Sequence, residues 1–243
     1  MGIMSPYFPT EMAIKLSEIA RADIFVETGT YMGRTTKWAS TQFKEVYTIE
    51  LSESLYNQIK DELLNKGNIT PHLGDSRDVL PRILANIKGN ILFWLDGHYS
   101  AGVTAGKDDP CPLLQELEII LSRNNEDIIL IDDARCCLGD GGWPTIFEVY
   151  KKVESSAGKS KYMIICDDNI YIVPDNDKYK EPLLQYLLER NIILWNQDNK
   201  IREREYKIRE RKNKIRENFI RILQKVHMYK IARTIYRYLI KKK

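Results

Sequence analysis

Short apolar runs alternate with amphipathic segments through most of this chain. Five runs have the length and composition of strands: residues 23–27, 46–50, 69–73, 91–95 and 128–131. Five segments with helical character follow them in turn: residues 34–42, 52–65, 78–86, 112–122 and 144–153. Strands that alternate with helices predict a parallel sheet with right-handed crossovers.

The pattern changes at residues 161–173, KYMIICDDNIYIV, where two strand-like runs are separated only by a tight turn at 167–169. This spacing leaves no room for a helix, so it predicts a hairpin that closes the sheet with one antiparallel strand at its edge. The predicted fold class is therefore α/β: a Rossmann-like, doubly wound sheet of seven strands, five parallel plus a terminal antiparallel hairpin, followed by a long basic C-terminal helix.

The last fifth of the chain differs in charge from the rest. Residues 200–243 contain 17 Lys or Arg and 4 Glu, which leaves 20 basic and 30 acidic residues in 1–199 out of totals of 37 and 34. Ile201, Ile208, Ile215 and Ile222 recur every seven residues in this basic field. We therefore predict two regions, a domain at 1–199 and a basic amphipathic helical tail at 200–243.

The first strand ends in a glycine-containing turn, IFVETGTYMGRTT, that leads into a predicted helix. Such turns hold nucleotide-like ligands because free backbone N–H groups collect at the start of the helix. The spacing between Gly29 and Gly33 differs from the dinucleotide fingerprint, and Glu27 would repel a pyrophosphate. The turn is better suited to a cationic or amine-bearing ligand.

Two further strand ends carry acidic residues with two open interpretations each. Glu50 ends the second strand, where it can accept hydrogen bonds from ribose hydroxyls or lie at the start of the helix near Ser52. Asp75 follows the third strand, where it can accept from an adenine amine or cap the next helix. One residue can also do both.

Carboxylates also follow the fourth and fifth strands, in LDGHYS and IDDAR. Asp96, Asp132 and Asp133 are expected to meet at the C-terminal edge, where their mutual repulsion favours a hard cation such as Mg²⁺. The alternative is that they only face water. His98 is the candidate general base, with an inert loop histidine as the alternative.

These motifs, taken in order, resemble class I S-adenosylmethionine-dependent methyltransferases. VETGTYMGRTT is similar to the first motif of the metal-dependent, catechol O-methyltransferase-like group, and LDGHYS and IDDAR resemble the macrocin O-methyltransferase branch. The resemblance implies S-adenosylmethionine and Mg²⁺ or Mn²⁺ as cofactors. It implies cofactor binding by Glu27, Gly29, Thr30, Gly33, Glu50, Asp75 and Ser76 and metal binding by Asp96, Asp132 and Asp133. His98, as the candidate base, and Asp96 are the residues that we predict to be catalytic.

The resemblance also bears on the acceptor. The lysine base of the catechol enzymes is Tyr99 here, which disfavours a catechol, and the macrocin-like motifs favour a sugar hydroxyl in surface-glycan or lipid-linked glycan biosynthesis. One alternative is a small phenolic or natural-product hydroxyl. Two others are an NAD-type dehydrogenase, which Glu27 and the glycine spacing disfavour, and a non-catalytic scaffold at a membrane surface.

Location and partners follow from the apolar and basic segments. The sequence has no run of 18 apolar residues and no basic-then-apolar leader pattern, which predicts a cytoplasmic protein. Four partners for the tail stay open: nucleic acid, an anionic membrane, a second copy, or water alone. We expect residues 215–243 to bind the inner membrane face, no nucleic acid to bind beside an acidic domain, and the Ile series to allow a homo-oligomer.

Overall fold

A computed structural model describes residues 8–97, 111–156, 158 and 160–240. Their contacts form two units, one that ends at Glu189 and one that begins at Arg190. The predicted division at residue 199 was drawn from charge rather than from contacts, and it stays a prediction. Among the described residues, no helix combines the length and the apolarity needed to cross a bilayer.

A seven-stranded sheet forms the centre of the first unit. Its strands are β1 (Ile24–Thr28), β2 (Glu45–Glu50), β3 (Ile69–Leu73), β4 (Ile91–Leu95), β5 (Ile128–Ile131), β6 (Lys161–Cys166) and β7 (Asn169–Pro174). The spatial order is β3-β2-β1-β4-β5-β7-β6, and β1 to β5 are mutually parallel. The predicted Rossmann-like fold is thus confirmed, with each of the five parallel strands within one residue of its expected bounds.

The hairpin is present, but its antiparallel strand does not lie at the edge as predicted. Strand β7 is antiparallel to both β5 and β6 and sits between them, so the edge strand is β6. Every residue of β7 is buried, whereas β6 leaves Ile165 41% exposed. The more apolar strand therefore occupies the interior position, where both of its faces are covered.

The described part of the chain contains seven α-helices. They are α1 (Thr10–Ala20), α2 (Arg34–Ala39), α3 (Glu53–Leu64), α4 (Ser76–Leu84), α5 (Leu113–Leu121), α6 (Ile146–Glu154) and α7 (Asp177–Ile240). The five predicted helices correspond to α2 through α6. Helix α1 was not predicted, and the helical tail was predicted to begin at residue 200, whereas α7 begins at Asp177.

The early start of α7 has a packing reason. Tyr179, Leu183 and Leu187 recur every four residues and are at most 4% exposed, so this part of the helix buries one stripe in the core. The tail was predicted from its excess of basic residues, and this charge pattern does not reveal the apolar stripe that precedes it. Tyr179 also donates from its hydroxyl to Glu126 at 2.8 Å.

Two apolar clusters cover the two faces of the sheet. One joins residues of α1, α3 and early α7 with Phe25 and Trp94 of the strands. The other joins residues of α4, α5 and α6 with Val26 and Phe93. Because side chains alternate along a strand, polar residues at the C-terminal strand ends also divide between the two faces. Polar groups of the two faces are therefore described separately below.

Candidate functional site

A cavity of about 510 Å³ opens at the C-terminal ends of β1, β4 and β5. Cavities of this size hold small-molecule ligands. Its described lining combines three carboxylates with aromatic rings and the turn after β1: Phe8, Thr10, Glu27, Gly29, Thr30, Tyr31, Met32, Arg34, Thr35, Trp38, Trp94, Asp96 and Asp132. Five of the eleven predicted site residues line the described cavity: Glu27, Gly29, Thr30, Asp96 and Asp132.

Glu27 is the buried carboxylate of this cavity, 1% exposed at the end of β1. Its Oε2 accepts from the Thr36 hydroxyl at 2.5 Å and from the Thr48 hydroxyl at 2.8 Å. No described residue donates to Oε1. Burial raises the pKa of Glu27 to about 7, against the lowering effect of the two hydroxyls. The hydrogen bonds to Oε2 thus fix the orientation of the Glu27 side chain. A cationic ligand at Oε1 would stabilise its charged form.

The turn after β1 is held against the end of β4. Gly29 has φ +87°, and a Cβ at this position would lie 2.3 Å from the carbonyl oxygen of Asp96. Thr30 shares a 2.6 Å hydrogen bond with Thr48 and lines the cavity. Gly33 precedes α2 with φ +67° and packs toward Leu63 instead of lining the cavity. Glycine is required at Gly29 because backbone fills the place of a side chain.

Glu50, predicted to bind a ribose, lies at the end of β2 and is 6% exposed. Its Oε2 accepts from the backbone N–H of Tyr31 and its Oε1 from that of Ser52, both at 2.8 Å. Glu50 therefore links the turn after β1 to the start of α3. It does not line the described cavity, although a carboxylate oxygen can accept a second donor, and the ribose role stays a prediction.

Asp75 and Ser76 stand where α4 begins. Asp75 caps the helix by accepting from the backbone N–H of Arg77 at 2.9 Å, and its other oxygen accepts from the Arg77 guanidinium at 2.6 Å. The Arg77 hydrogen bond lowers the pKa of Asp75. The capping alternative is thus present in the structure, and the adenine role stays a prediction. Neither residue lines the cavity.

Asp96 and Asp132 line the cavity from the ends of β4 and β5. Burial, followed by the charges of Asp132, Glu27 and Asp133, raises the pKa of Asp96 well above its ordinary value. Burial also raises the pKa of Asp132 to about 6. The structure therefore brings the Asp96 and Asp132 carboxyls into one partly buried place at the ends of the two strands.

Asp133 does not line the cavity, and it belongs to a second acidic group that overlaps the first at Asp132. Its backbone is left-handed, with φ 55°, and carboxylate oxygens of Asp132, Asp133 and Asp168 lie within 4.8 Å of one another. Asp168, from the turn between β6 and β7, was not predicted. The Arg135 guanidinium pairs with Asp133 at 2.8 Å and also with Asp168, so part of this charge is already balanced.

The donor chemistry of these residues fits a hard divalent cation. All are carboxylates. Burial first, and then repulsion by neighbouring carboxylates, raises the pKa of Asp96, and a cation between the strand ends would offset both effects. Asp132 belongs to both groups, since it lines the cavity beside Asp96 and also approaches Asp133 and Asp168. Metal binding by Asp96, Asp132 and Asp133 stays a prediction, with Asp132 as the central residue.

The cavity also fits a sulfonium bearing an amine. Phe8 packs between Trp38 and Trp94, with ring centroids 4.7 and 4.8 Å away, and all three rings line the cavity. The Trp94 Nε1 is buried without a hydrogen bond of good geometry. Aromatic faces and the Glu27 carboxylate both attract cations. The residues of this cavity thus match the charge of S-adenosylmethionine.

The candidate base His98, and Tyr99 beside it, lie outside the described residues. The role of His98 therefore stays a prediction. Asp96, the other residue predicted to be catalytic, is the last described carboxylate before that segment and faces the cavity.

The opposite face of the sheet holds a buried acid that the sequence analysis missed. Glu116 on α5 is 0% exposed, and neither of its carboxyl oxygens makes a hydrogen bond of good geometry with a described residue. Burial raises its pKa to about 7, while the nearby hydroxyls of Ser76 and Thr28 lower it and the Asp75 charge raises it. In the sequence Glu116 reads as one more acidic residue in the first turn of a helix, which gave no signal of burial.

Replacing Glu116 with glutamine should stabilise the protein above neutral pH. The folded state holds a proton on Glu116 up to about pH 7, whereas an ordinary glutamate loses it near 4.5. The free energy of unfolding therefore falls as pH rises between these values, and glutamine removes a loss of up to about 3 kcal/mol. Urea unfolding at about pH 5 and about pH 8 measures this difference.

Glu118→Gln is the matched control on the same helix, because Glu118 is exposed and pairs with Lys152 at 2.9 Å. It should change stability by less than about 1 kcal/mol at either pH. An equal effect of Glu116→Gln at both pH values would show that Glu116 is ionised in the folded protein throughout.

Solved structures similar to this chain include methyltransferases with bound cofactor. The O-methyltransferase from Bacillus cereus with S-adenosylhomocysteine is 19% identical, with TM-score 0.48 over 70% of this chain and 82% of that one. TomG from Streptomyces achromogenes, involved in tomaymycin synthesis and solved with S-adenosylmethionine, is 19% identical, with TM-score 0.46 over 70% and 82%. Podospora anserina PaMTH1 with S-adenosylhomocysteine is 16% identical, with TM-score 0.46 over 68% and 76%.

At these identities and TM-scores the likeness does not extend to the activity of this chain. No family profile matches the sequence, and no curated protein matches it.

Proposed function

We propose that this chain is an S-adenosylmethionine-dependent O-methyltransferase that uses Mg²⁺ or Mn²⁺. The observation that carries the proposal is the buried Glu27 carboxylate, which lines a cavity with aromatic rings and the carboxylates of two neighbouring strand ends. Such a lining suits a ligand that bears both an ammonium and a sulfonium. It does not suit the pyrophosphate of a dinucleotide, which Glu27 would repel.

Three residues in or beside the turn have definite tasks in this proposal. Glu27 orients the amine of the ligand through Oε1, since Oε2 is held by Thr36 and Thr48. Gly29 lets the turn approach β4, so that the ligand lies against the strand ends. Glu50 keeps the turn in place through the N–H of Tyr31. When bound, S-adenosylmethionine supplies an activated methyl group, and the protein contributes mainly its positioning.

The carboxylates at the strand ends would hold the metal ion. Asp132 faces both the cavity and the acidic group of Asp133 and Asp168, and Asp96 faces the cavity. When bound, a divalent cation lowers the pKa of a hydroxyl and fixes its direction. His98 is proposed to take the hydroxyl proton, because its ordinary pKa lies near neutrality.

A sugar hydroxyl of a surface glycan, or of its lipid-linked precursor, is the proposed acceptor. Support comes from the resemblance of LDGHYS and IDDAR to macrocin O-methyltransferases and from Tyr99 at the position of the catechol-enzyme lysine. An alkyl hydroxyl ionises less readily than a phenol, so this acceptor has the greater need of a metal. A lipid-linked acceptor would be met at the cytoplasmic face of a membrane, where we propose that the protein works.

Calorimetry should show micromolar binding of S-adenosylmethionine, weakened in Glu27→Gln by about 10- to 100-fold. Glutamine keeps the size of the side chain but removes the charge that attracts the amine, and a hydrogen bond to a charged group contributes roughly 1.5–3 kcal/mol. Measurements at about pH 8 keep the parent carboxylate ionised, since its pKa is raised to about 7.

Glu45→Gln is the control, because Glu45 is an exposed residue of β2 that does not line the cavity. It should leave the affinity unchanged. Equal affinity of parent and Glu27→Gln would remove Glu27 from the site, and binding of NAD in place of S-adenosylmethionine would establish the dehydrogenase alternative.

A further inference from the structure

We propose that residues 215–240 of α7 bind along the surface of a membrane that contains anionic lipid. The inference is independent of the proposed methyl transfer, because membrane binding can be measured without cofactor or acceptor. It rests on three features of this segment: the exposure of its large apolar side chains, their arrangement on the helix, and the charge around them.

The segment exposes many large side chains that soluble helices bury. Eleven of them are between 43% and 69% exposed: Ile215, Phe219, Ile220, Ile222, Val226, Met228, Tyr229, Ile231, Ile235, Tyr236 and Tyr238. Single exposed apolar residues are ordinary, but a dense series of them marks a surface that binds something apolar. Three of the eleven are tyrosines, whose rings are favoured where apolar and wet environments meet.

Part of this series forms a single stripe. Ile215, Phe219, Ile222, Val226 and Tyr229 follow one another at intervals of four, three, four and three residues, all within α7. At 3.6 residues per turn, these intervals place all five side chains on one side of the helix. A stripe of this kind can enter the outer part of a bilayer while the rest of the helix stays in water.

Basic residues border the stripe. Lys225 and Lys230 lie on its two sides at this helical period, and Glu217 lies on the opposite side. Residues 215–243 contain nine Lys or Arg and one Glu. Long basic side chains can extend from such a position to lipid headgroups, and an anionic surface attracts each of them. The apolar and the charged parts of the segment therefore face the same kind of partner.

Other occupants match the segment less well. Nucleic acid would satisfy the basic residues but not the aliphatic stripe, and residues 1–199 carry ten more acidic than basic residues, 30 against 20. A second copy would need the apolar seam of a coiled coil to continue over several heptads. The intervals of four and three in the stripe fit such a seam only from Ile215 to Tyr229, because the positions three and four after Ile201 and Ile208 are charged: Arg204, Glu205, Arg211 and Lys212.

The test is co-sedimentation of the full chain with vesicles. Parent protein should sediment with phosphatidylglycerol–phosphatidylcholine vesicles and much less with phosphatidylcholine alone. Raising the salt concentration from about 0.1 M to about 0.5 M should lower the partition coefficient between vesicles and water, because salt screens the attraction between the basic residues and the anionic lipid. The double variant Phe219→Ser/Ile222→Ser should reduce it by at least about tenfold, because two stripe residues lose their apolar burial.

Ile220→Ser/Ile231→Ser is the control, with two exposed isoleucines changed on the other side of the same helix. It should reduce partitioning by less than about threefold. Circular dichroism of both variants reports whether the helix is kept. Equal losses in the two double variants, or no sedimentation of the parent, would overturn the proposal. So would binding to duplex DNA or RNA, or a concentration-dependent dimer, without any binding to vesicles.

Discussion

Replacing Asp132 with alanine should reduce methyl transfer by at least about 100-fold, and chelation of divalent cations should do the same to the parent protein. Asp132 is the carboxylate that lines the cavity beside Asp96 and also approaches Asp133 and Asp168. Mutation of residues that only hold metal ligands in place typically lowers metal affinity or activity about 10- to 100-fold. Removal of a ligand itself should lower the activity at least as much. Transfer of a labelled methyl group to a lipid-linked glycan fraction, with a catechol in parallel, measures the effect.

Two further measurements separate a metal defect from other defects. Calorimetry with Mn²⁺ should show binding to the parent and its loss in Asp132→Ala, while the S-adenosylmethionine affinity should fall much less than it does in Glu27→Gln. Asp61→Ala, on the exposed side of α3, is the control for a lost carboxylate. Full activity of the parent in chelator would show that the strand-end carboxylates serve without a metal. Transfer to the catechol alone would favour the phenolic acceptor.

The second large effect is expected from Gly29→Ala. The added Cβ would lie 2.3 Å from the Asp96 carbonyl oxygen and 2.6 Å from its carbon, both backbone atoms that cannot rotate away. The strand end at β4 must therefore move, at an expected loss of roughly 3 kcal/mol in the free energy of unfolding. Because Asp96 lines the cavity, S-adenosylmethionine affinity should fall as well. Urea unfolding and calorimetry measure the two effects.

Gly67→Ala is the matched control for backbone strain alone. Gly67 also has a positive φ, +82°, but nothing lies within 4 Å of an added Cβ. It should cost about 1 kcal/mol and leave the ligand affinity unchanged. If the two variants were equally stable, the close approach of the turn to β4 would not be a feature of the folded protein.

Most of the sheet follows from local sequence. A buried parallel strand needs a short continuous apolar run, and a crossover helix needs a periodic apolar stripe. Both patterns are visible in short stretches of sequence, so strands such as Ile91–Leu95 can be predicted without knowledge of their neighbours. Helix α1 and the first turns of α7 were missed for a complementary reason. Their apolar stripes, which include Leu16 and Tyr179, can be recognised as buried only once the sheet that they pack against is known.

The candidate site divides in the same way. Asp96, Asp132 and Asp133 were predicted to meet because the carboxyl ends of neighbouring parallel strands lie at one edge, and Asp96 and Asp132 line the cavity whereas Asp133 does not. Glu27, which was predicted separately from the glycine turn, lines the same cavity. The residues that hold them were not predicted. Thr36 and Thr48 orient Glu27 from a helix and from another strand, and single threonines give no sequence signal of such contacts.

The sequence by itself determined the strand–helix alternation, the acidic strand ends and the separate charge of the tail, because each depends on residues close together in the chain. Only the tertiary structure decided that β7 lies inside the edge and that Asp168 joins Asp132 and Asp133. The register of β5 with β7, in which Ile131 faces Ile170, brings that turn beside the end of β5. Likewise, burial of Glu116 follows from the packing of α5 against the sheet. Pairing and burial join residues that are distant in sequence, so no local pattern records them.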